Sequence, residues 1–146
     1  MPIPITRQTH MDTFNGMAPA VDADHFIDKL AFKFHVVAKT ASYTPKLRES
    51  GTFFTTEGAS GAIVFTLPAV ASSDGIVYWF YSAEIQNMTI TAPANTMVAG
   101  SDATATNVVF SDATGKCGNC VMVVGNGTLW HAFPMTAQND VVITVT

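Results

Sequence analysis

Charge is scarce in this sequence. Lys, Arg, Asp and Glu make up 12% of its 146 residues, about half the usual share of a soluble domain. With 7 basic and 11 acidic residues and a net charge of −4, it does not carry the basic footprint of a nucleic-acid binder. There is no run of about 18 apolar residues, which excludes a spanning helix. The N-terminus, Met-Pro-Ile-Pro-Ile-Thr-Arg-Gln-Thr-His, has no basic stretch followed by an apolar one, so no signal peptide is expected. Synthesis in a cytosol follows as the expectation, with both cysteines reduced. Under that expectation the glycosylation sequons at Asn87 and Asn126 carry no meaning.

Catalytic patterns are equally thin. Gly58-Ala59-Ser60-Gly61 is one residue short of a nucleophile elbow and leads into a strand pattern rather than a helix. The Asp22-x-Asp24 and Asp28 spacing misses the calcium loop, with Ile27 where Gly is required and Lys33 where Glu is required. Gly125-x-Gly127 reads as a turn, without a phosphate loop around it. The Cys117-Gly118-Asn119-Cys120 pair is half a zinc knuckle, and zinc needs two further ligands. A redox pair would open a helix, whereas this one opens a strand. It reads as two small, mostly buried thiols. With a three-residue loop in the following hairpin, Val121 pairs with His131 and Cys120 with Ala132, which puts His131 on the face opposite Cys120. A two-residue loop reverses that. His10, His25 and His35 are scattered, and carboxylates are too sparse for an acid–base pair. No enzyme, cofactor or metal is expected.

What the chain does contain is apolar content, 48% of it, enough for a core. Its charge is lopsided. Residues 1–50 hold six bases and five acids; residues 51–146 hold Lys116 alone against six acids. A lone monomer covers itself with more charge than that. Either Thr, Ser and Asn cover the second segment, or copies of the chain or a partner hide part of it.

Residues 1–30 read as an arm. Pro2, Pro4, Gly16 and Pro19 break helices, although residues 22–30 could form a turn or two capped by Asp22 or Asp24. The arm keeps Ile3, Ile5, Met11, Phe14, Met17 and Val21, more apolar side chains than a solvated tail retains. From residue 31 to 146 the period is two. Alternation marks strands at Phe32–Val36, Ile63–Leu67, Asn87–Ala92 and Val141–Thr146, with further candidates at Phe53–Thr56, Asn107–Ser111 and Cys120–Val124. Turn signals separate them at roughly ten-residue spacing. Val121–Val124 and Leu129–Phe133 around Gly125–Gly127 form the clearest hairpin. The pattern predicts an all-β domain, an antiparallel β-sandwich or β-barrel with an extended N-terminal arm. Ile76-Val-Tyr-Trp-Phe-Tyr81 is apolar on both faces, which fits either a central strand covered on both sides or a subunit interface made by Tyr78, Trp79, Phe80 and Tyr81.

Two stretches, Ala38-Lys-Thr-Ala-Ser-Tyr-Thr44 and Glu49-Ser-Gly-Thr-Phe-Phe-Thr-Thr-Glu-Gly-Ala-Ser-Gly-Ala-Ile-Val-Phe-Thr-Leu-Pro68, resemble a β module of tailed-bacteriophage virion proteins. Gly75-Ile-Val-Tyr-Trp-Phe80, Asn87-Met-Thr-Ile-Thr-Ala92 and Gly127-Thr-Leu-Trp130 fit the same module. It occurs in capsid decoration (cement) proteins, head fibres and tail-fibre tips, and the likeness covers about two thirds of the chain. It implies a non-enzymatic structural protein on the capsid surface, a homotrimer whose arm and segment 1–50 contact the major capsid protein. Neither nucleic acid nor membrane is expected as a partner. The alternative is a fibre component that binds a host-surface glycan, with Asp102, Asn107 and Asp112 as its hydrogen bonders.

Overall fold

Period-two alternation becomes eleven strands in the computed structural model, which describes residues 33–111, 117–135 and 142–146. The strands are β1 His35–Ala38, β2 Thr52–Thr55, β3 Ile63–Thr66, β4 Val77–Tyr81, β5 Met88–Thr91, β6 Met97–Ala99, β7 Asp102–Ala105, β8 Asn107–Ser111, β9 Cys120–Gly125, β10 Trp130–Met135 and β11 Val142–Val145. They build a seven-stranded sheet in the order β1-β2-β4-β9-β10-β6-β7 and a four-stranded sheet in the order β11-β8-β5-β3. The fold is a β-sandwich. Phe34–Thr146 is a unit by itself, and the expected arm and the turns at 22–30 lie outside the described residues.

The expectation of antiparallel pairing needs correction. β1·β2, β2·β4, β10·β6 and β3·β5 are parallel, while β4·β9, β9·β10, β6·β7, β5·β8 and β8·β11 are antiparallel. The chain alternates between sheets: β2 is in the large sheet, β3 in the small, β4 in the large, β5 in the small. Two strands of one sheet separated by a single strand of the other run the same way, as in β2·β4 and β3·β5. From β2 to β5 sequence neighbours therefore lie in opposite sheets, whereas β1·β2, β6·β7 and β9·β10 pair within one.

That core is built from the inward residues of both sheets. Phe54, Tyr78, Phe80, Val121, Val123 and Trp130 come from the large sheet; Ile63, Phe65, Met88, Ile90 and Val108 come from the small one. Phe65 joins the layers, with ring centroids 4.6 Å from Phe80 and 6.0 Å from Phe54. The two buried polar aromatics find acceptors at the rim. Trp130 Nε1 donates to the Pro68 carbonyl at 3.2 Å, and the Tyr78 hydroxyl donates to the Lys46 carbonyl at 3.0 Å.

Burial, aided by the charge of Glu49 and by Tyr43, pushes the Tyr78 phenol up to about 12. An unfolded phenol titrates near 10. Between these values the unfolded chain has released a proton that the folded chain still holds. Stability then falls as pH rises. Urea midpoints are expected to change little up to pH about 8 and to drop most from about 10 to 12. Tyr78→Phe should remove most of that slope.

The β9–β10 connection corrects the expected register. Gly125 pairs with Trp130 and Cys120 with Met135, so four residues rather than three make the loop. Asn126 shapes it: its Oδ1 accepts the N–H groups of Leu129 at 2.7 Å and Thr128 at 3.0 Å. His131 consequently shares a face with Cys120. Gly125 is required by close approach, since a Cβ there would overlap the carbonyl, Cβ and hydroxyl of Ser73. Gly125→Ala is expected to destabilise the fold by about 1–3 kcal/mol, the cost of overpacking, measured as a lower urea midpoint with unchanged slope.

Candidate interaction surface

The two faces of β4 have different fates. Tyr78 and Phe80 are fully buried in the core, so neither belongs to a subunit interface. This corrects half of the expectation for residues 78–81. Alternation in an extended chain sends Trp79 and Tyr81 to the other side of the sheet, where both are half-buried. β4 is the third strand of seven, which fits the reading of 76–81 as a central strand.

Register extends that outer face across the sheet. Trp79 lies opposite Phe53 on β2 and Met122 on β9. Phe53 lies opposite Val36, and Met122 opposite Phe133. One row thus crosses five strands without a charged residue. A second row holds Ala38, Thr55, Tyr81, Cys120 and Met135; a third holds Val77, Val124, His131 and Val98. These positions hold no Lys, Arg, Asp or Glu. Phe34 adds its ring at 5.4 Å from Trp79, edge on, and 5.6 Å from Phe53. Val36 is 61% exposed, Phe133 50% and Met135 42%. The face ends in a shallow groove of about 350 Å³ between β6 and β10, bordered by Val98, His131, Phe133 and Pro134.

Five strands at about 4.8 Å spacing give a face roughly 19 Å wide, and three rows two residues apart make it roughly 14 Å long. That is about 270 Å² of sheet, slightly below the largest apolar patches on soluble monomers, about 300–600 Å², which are commonly functional. Sequence reading located Trp79 and Tyr81 but missed Val36, Phe53, Met122 and Phe133, because only pairing register assembles them. Alternating apolar residues on outward positions of β9 and β10 were the available signal.

The other sequence candidates do not converge. Asn107 lies in the small sheet, where its Oδ1 accepts the Thr91 hydroxyl at 2.9 Å and its amide donates to Thr146 Oγ1 at 3.3 Å. Asp102 lies in the edge strand β7 and caps Thr104 locally. Asp112 and the arm residues Ile3, Ile5, Met11, Phe14, Met17 and Val21 fall outside the described residues. The cysteines are not the buried pair expected, since Cys117 is exposed and Cys120 half-buried. Burial pushes the Cys120 thiol up, which lowers its thiolate fraction and with it its reactivity. Among the described residues no group of three His, Cys, Asp or Glu side chains could hold a metal ion, and no helix is long and apolar enough to cross a membrane. No protein-family model matches the chain, and no curated protein matches its sequence.

Proposed function

We propose that the chain is a virion structural protein of a tailed bacteriophage, a capsid decoration (cement) protein that forms a homotrimer and clamps neighbouring major capsid protein subunits. The uncharged outer face of the seven-stranded sheet carries this reading. Such a face packs against another copy of the chain without stranding a buried charge, which would cost several kcal/mol. In a trimer the contact is heterologous and closes on itself. Set around a three-fold axis, the Val36–Phe53 half of one copy meets the Met122–Phe133 half of the next, with Trp79 nearest the axis. The sparse charge of residues 51–146 agrees with a surface spent on contacts. Mechanism here is mechanical: interface added across capsomers raises the cost of expansion or rupture, and each contact needs more than about 1,000 Å² to be specific.

Labelling purified virions with an antibody to the chain tests the assignment. Label over the head surface is the expected result. Label confined to the tail overturns the decoration reading in favour of the fibre alternative, and absence from the particle overturns both.

A further inference from the structure

All four basic residues among those described, Lys33, Lys39, Lys46 and Arg48, fall between positions 33 and 48. Three of them surround one hub in the β1–β2 connection. There the Tyr43 hydroxyl donates to both Glu49 carboxylate oxygens, at 2.9 and 3.0 Å, and the Lys46 N–H donates to Glu49 Oε2 at 2.7 Å. Burial alone would raise the Glu49 carboxyl. The Lys46 N–H, the Tyr43 hydroxyl and the charges of Lys39 and Lys46 outweigh it and hold the group below its ordinary value. Lys39 Nζ sits 3.4 Å above the centre of the Tyr43 ring.

The hub is tied to three strands. Tyr43 exchanges backbone hydrogen bonds with β3, giving its N–H to Val64 at 2.9 Å and accepting that of Thr66 at 3.0 Å. On β4, Tyr78 reaches the Lys46 carbonyl, and the Val77 N–H donates to Ser50 Oγ at 3.1 Å. The Tyr43 ring packs 5.7 Å from Phe54 on β2. These ties fix the single 3-10 turn Leu47–Glu49, which presents Lys46, Leu47 and Arg48 to solvent. Leu47 is 37% exposed. Leu47 thus stands partly exposed between two cations, on a turn that the Glu49 hub holds in place.

We infer that the Lys46-Leu47-Arg48 turn is a docking epitope for an acidic protein surface that carries an apolar dimple. Leu47 fills the dimple, and Lys46 and Arg48 face carboxylates at its rim. A turn already fixed by its hydrogen bonds loses little conformational entropy on binding, and flanking cations steer an acidic partner and fix its register. The inference rests on the reading that this chain binds a capsid partner, and it gives that partner's contact a chemistry.

The test titrates the full-length protein with two labelled peptides of equal length, one all glutamate and one with a central Phe. Fluorescence anisotropy is expected to show both binding, the Phe peptide several-fold tighter, and both weakening as salt rises. Lys46→Glu with Arg48→Glu should weaken both by about tenfold or more, the scale of two exposed ion pairs lost and replaced by repulsion. Leu47→Ser should remove the preference for Phe and leave the glutamate peptide unaffected. Absence of binding, indifference to the charge reversal, or equal binding of a lysine peptide overturns the inference. Tighter binding of a DNA strand of equal charge also overturns it and assigns the turn to nucleic acid. The charge-reversed protein should keep the wild-type oligomer mass, and loss of that mass would place the turn in the self-contact instead. A wild-type chain that binds the peptides but is absent from virions fails the proposed function alone.

Discussion

Trp79→Glu is expected to reduce the proposed trimer to monomers while the sandwich stays folded. Trp79 sits at the middle of the row Val36, Phe53, Trp79, Met122, Phe133 and packs against Phe34, outside the core cluster. Central aromatic residues in an interface commonly contribute about 2 kcal/mol or more, about a thirtyfold change in association. A carboxylate in their place adds the cost of burying a charge against an apolar face. Light scattering on eluting protein should report the mass of one chain at micromolar concentration, with near-ultraviolet dichroism preserved. An unchanged mass would show that the outer face is not the self-contact. Phe133→Glu, at the flank of the row, should weaken association less.

Phe65→Ala is expected to cost about 3–5 kcal/mol of folding stability, the range for truncating a buried phenylalanine. Phe65 is fully buried and is the small-sheet residue whose ring meets both Phe80 and Phe54. Its loss leaves a cavity between the layers that neither sheet can readily close, because backbone pairing holds the strands of each one in register. Urea unfolding at a single protein concentration should show the midpoint falling by a large fraction. A loss below about 1 kcal/mol would mean that the sheets are held together elsewhere.

The β-sandwich was legible because its strands are half-buried. Ile63-x-Phe65 and Met88-x-Ile90 send every second residue into the core, and alternation reports that directly. β4 hid its alternation because its outward residues, Val77, Trp79 and Tyr81, are as apolar as its inward ones. Only burial separates Tyr78 and Phe80 from them. β6 and β7 escaped because Met97-Val98-Ala99 is three residues long and Asp102-Ala-Thr-Ala105 is rich in weak strand formers. Strand direction was not legible either. Short connections suggest hairpins, and β6–β7 and β9–β10 are hairpins, yet β4–β5 and β7–β8 cross between sheets, and nothing local distinguishes the two. The β9–β10 register turned on one loop residue, and a shift of one flips a side chain to the other face. That shift moved His131 onto the face of Cys120. The Lys46-Leu47-Arg48 turn was invisible for a related reason, since its rigidity comes from Val64, Thr66, Val77 and Tyr78, far along the chain.

Sedimentation equilibrium of the full chain is the most direct test of self-association through the outer sheet face. Each chain is 15.5 kDa. At micromolar concentration the mass should fit three chains, and a fit to one chain throughout that range would contradict the account.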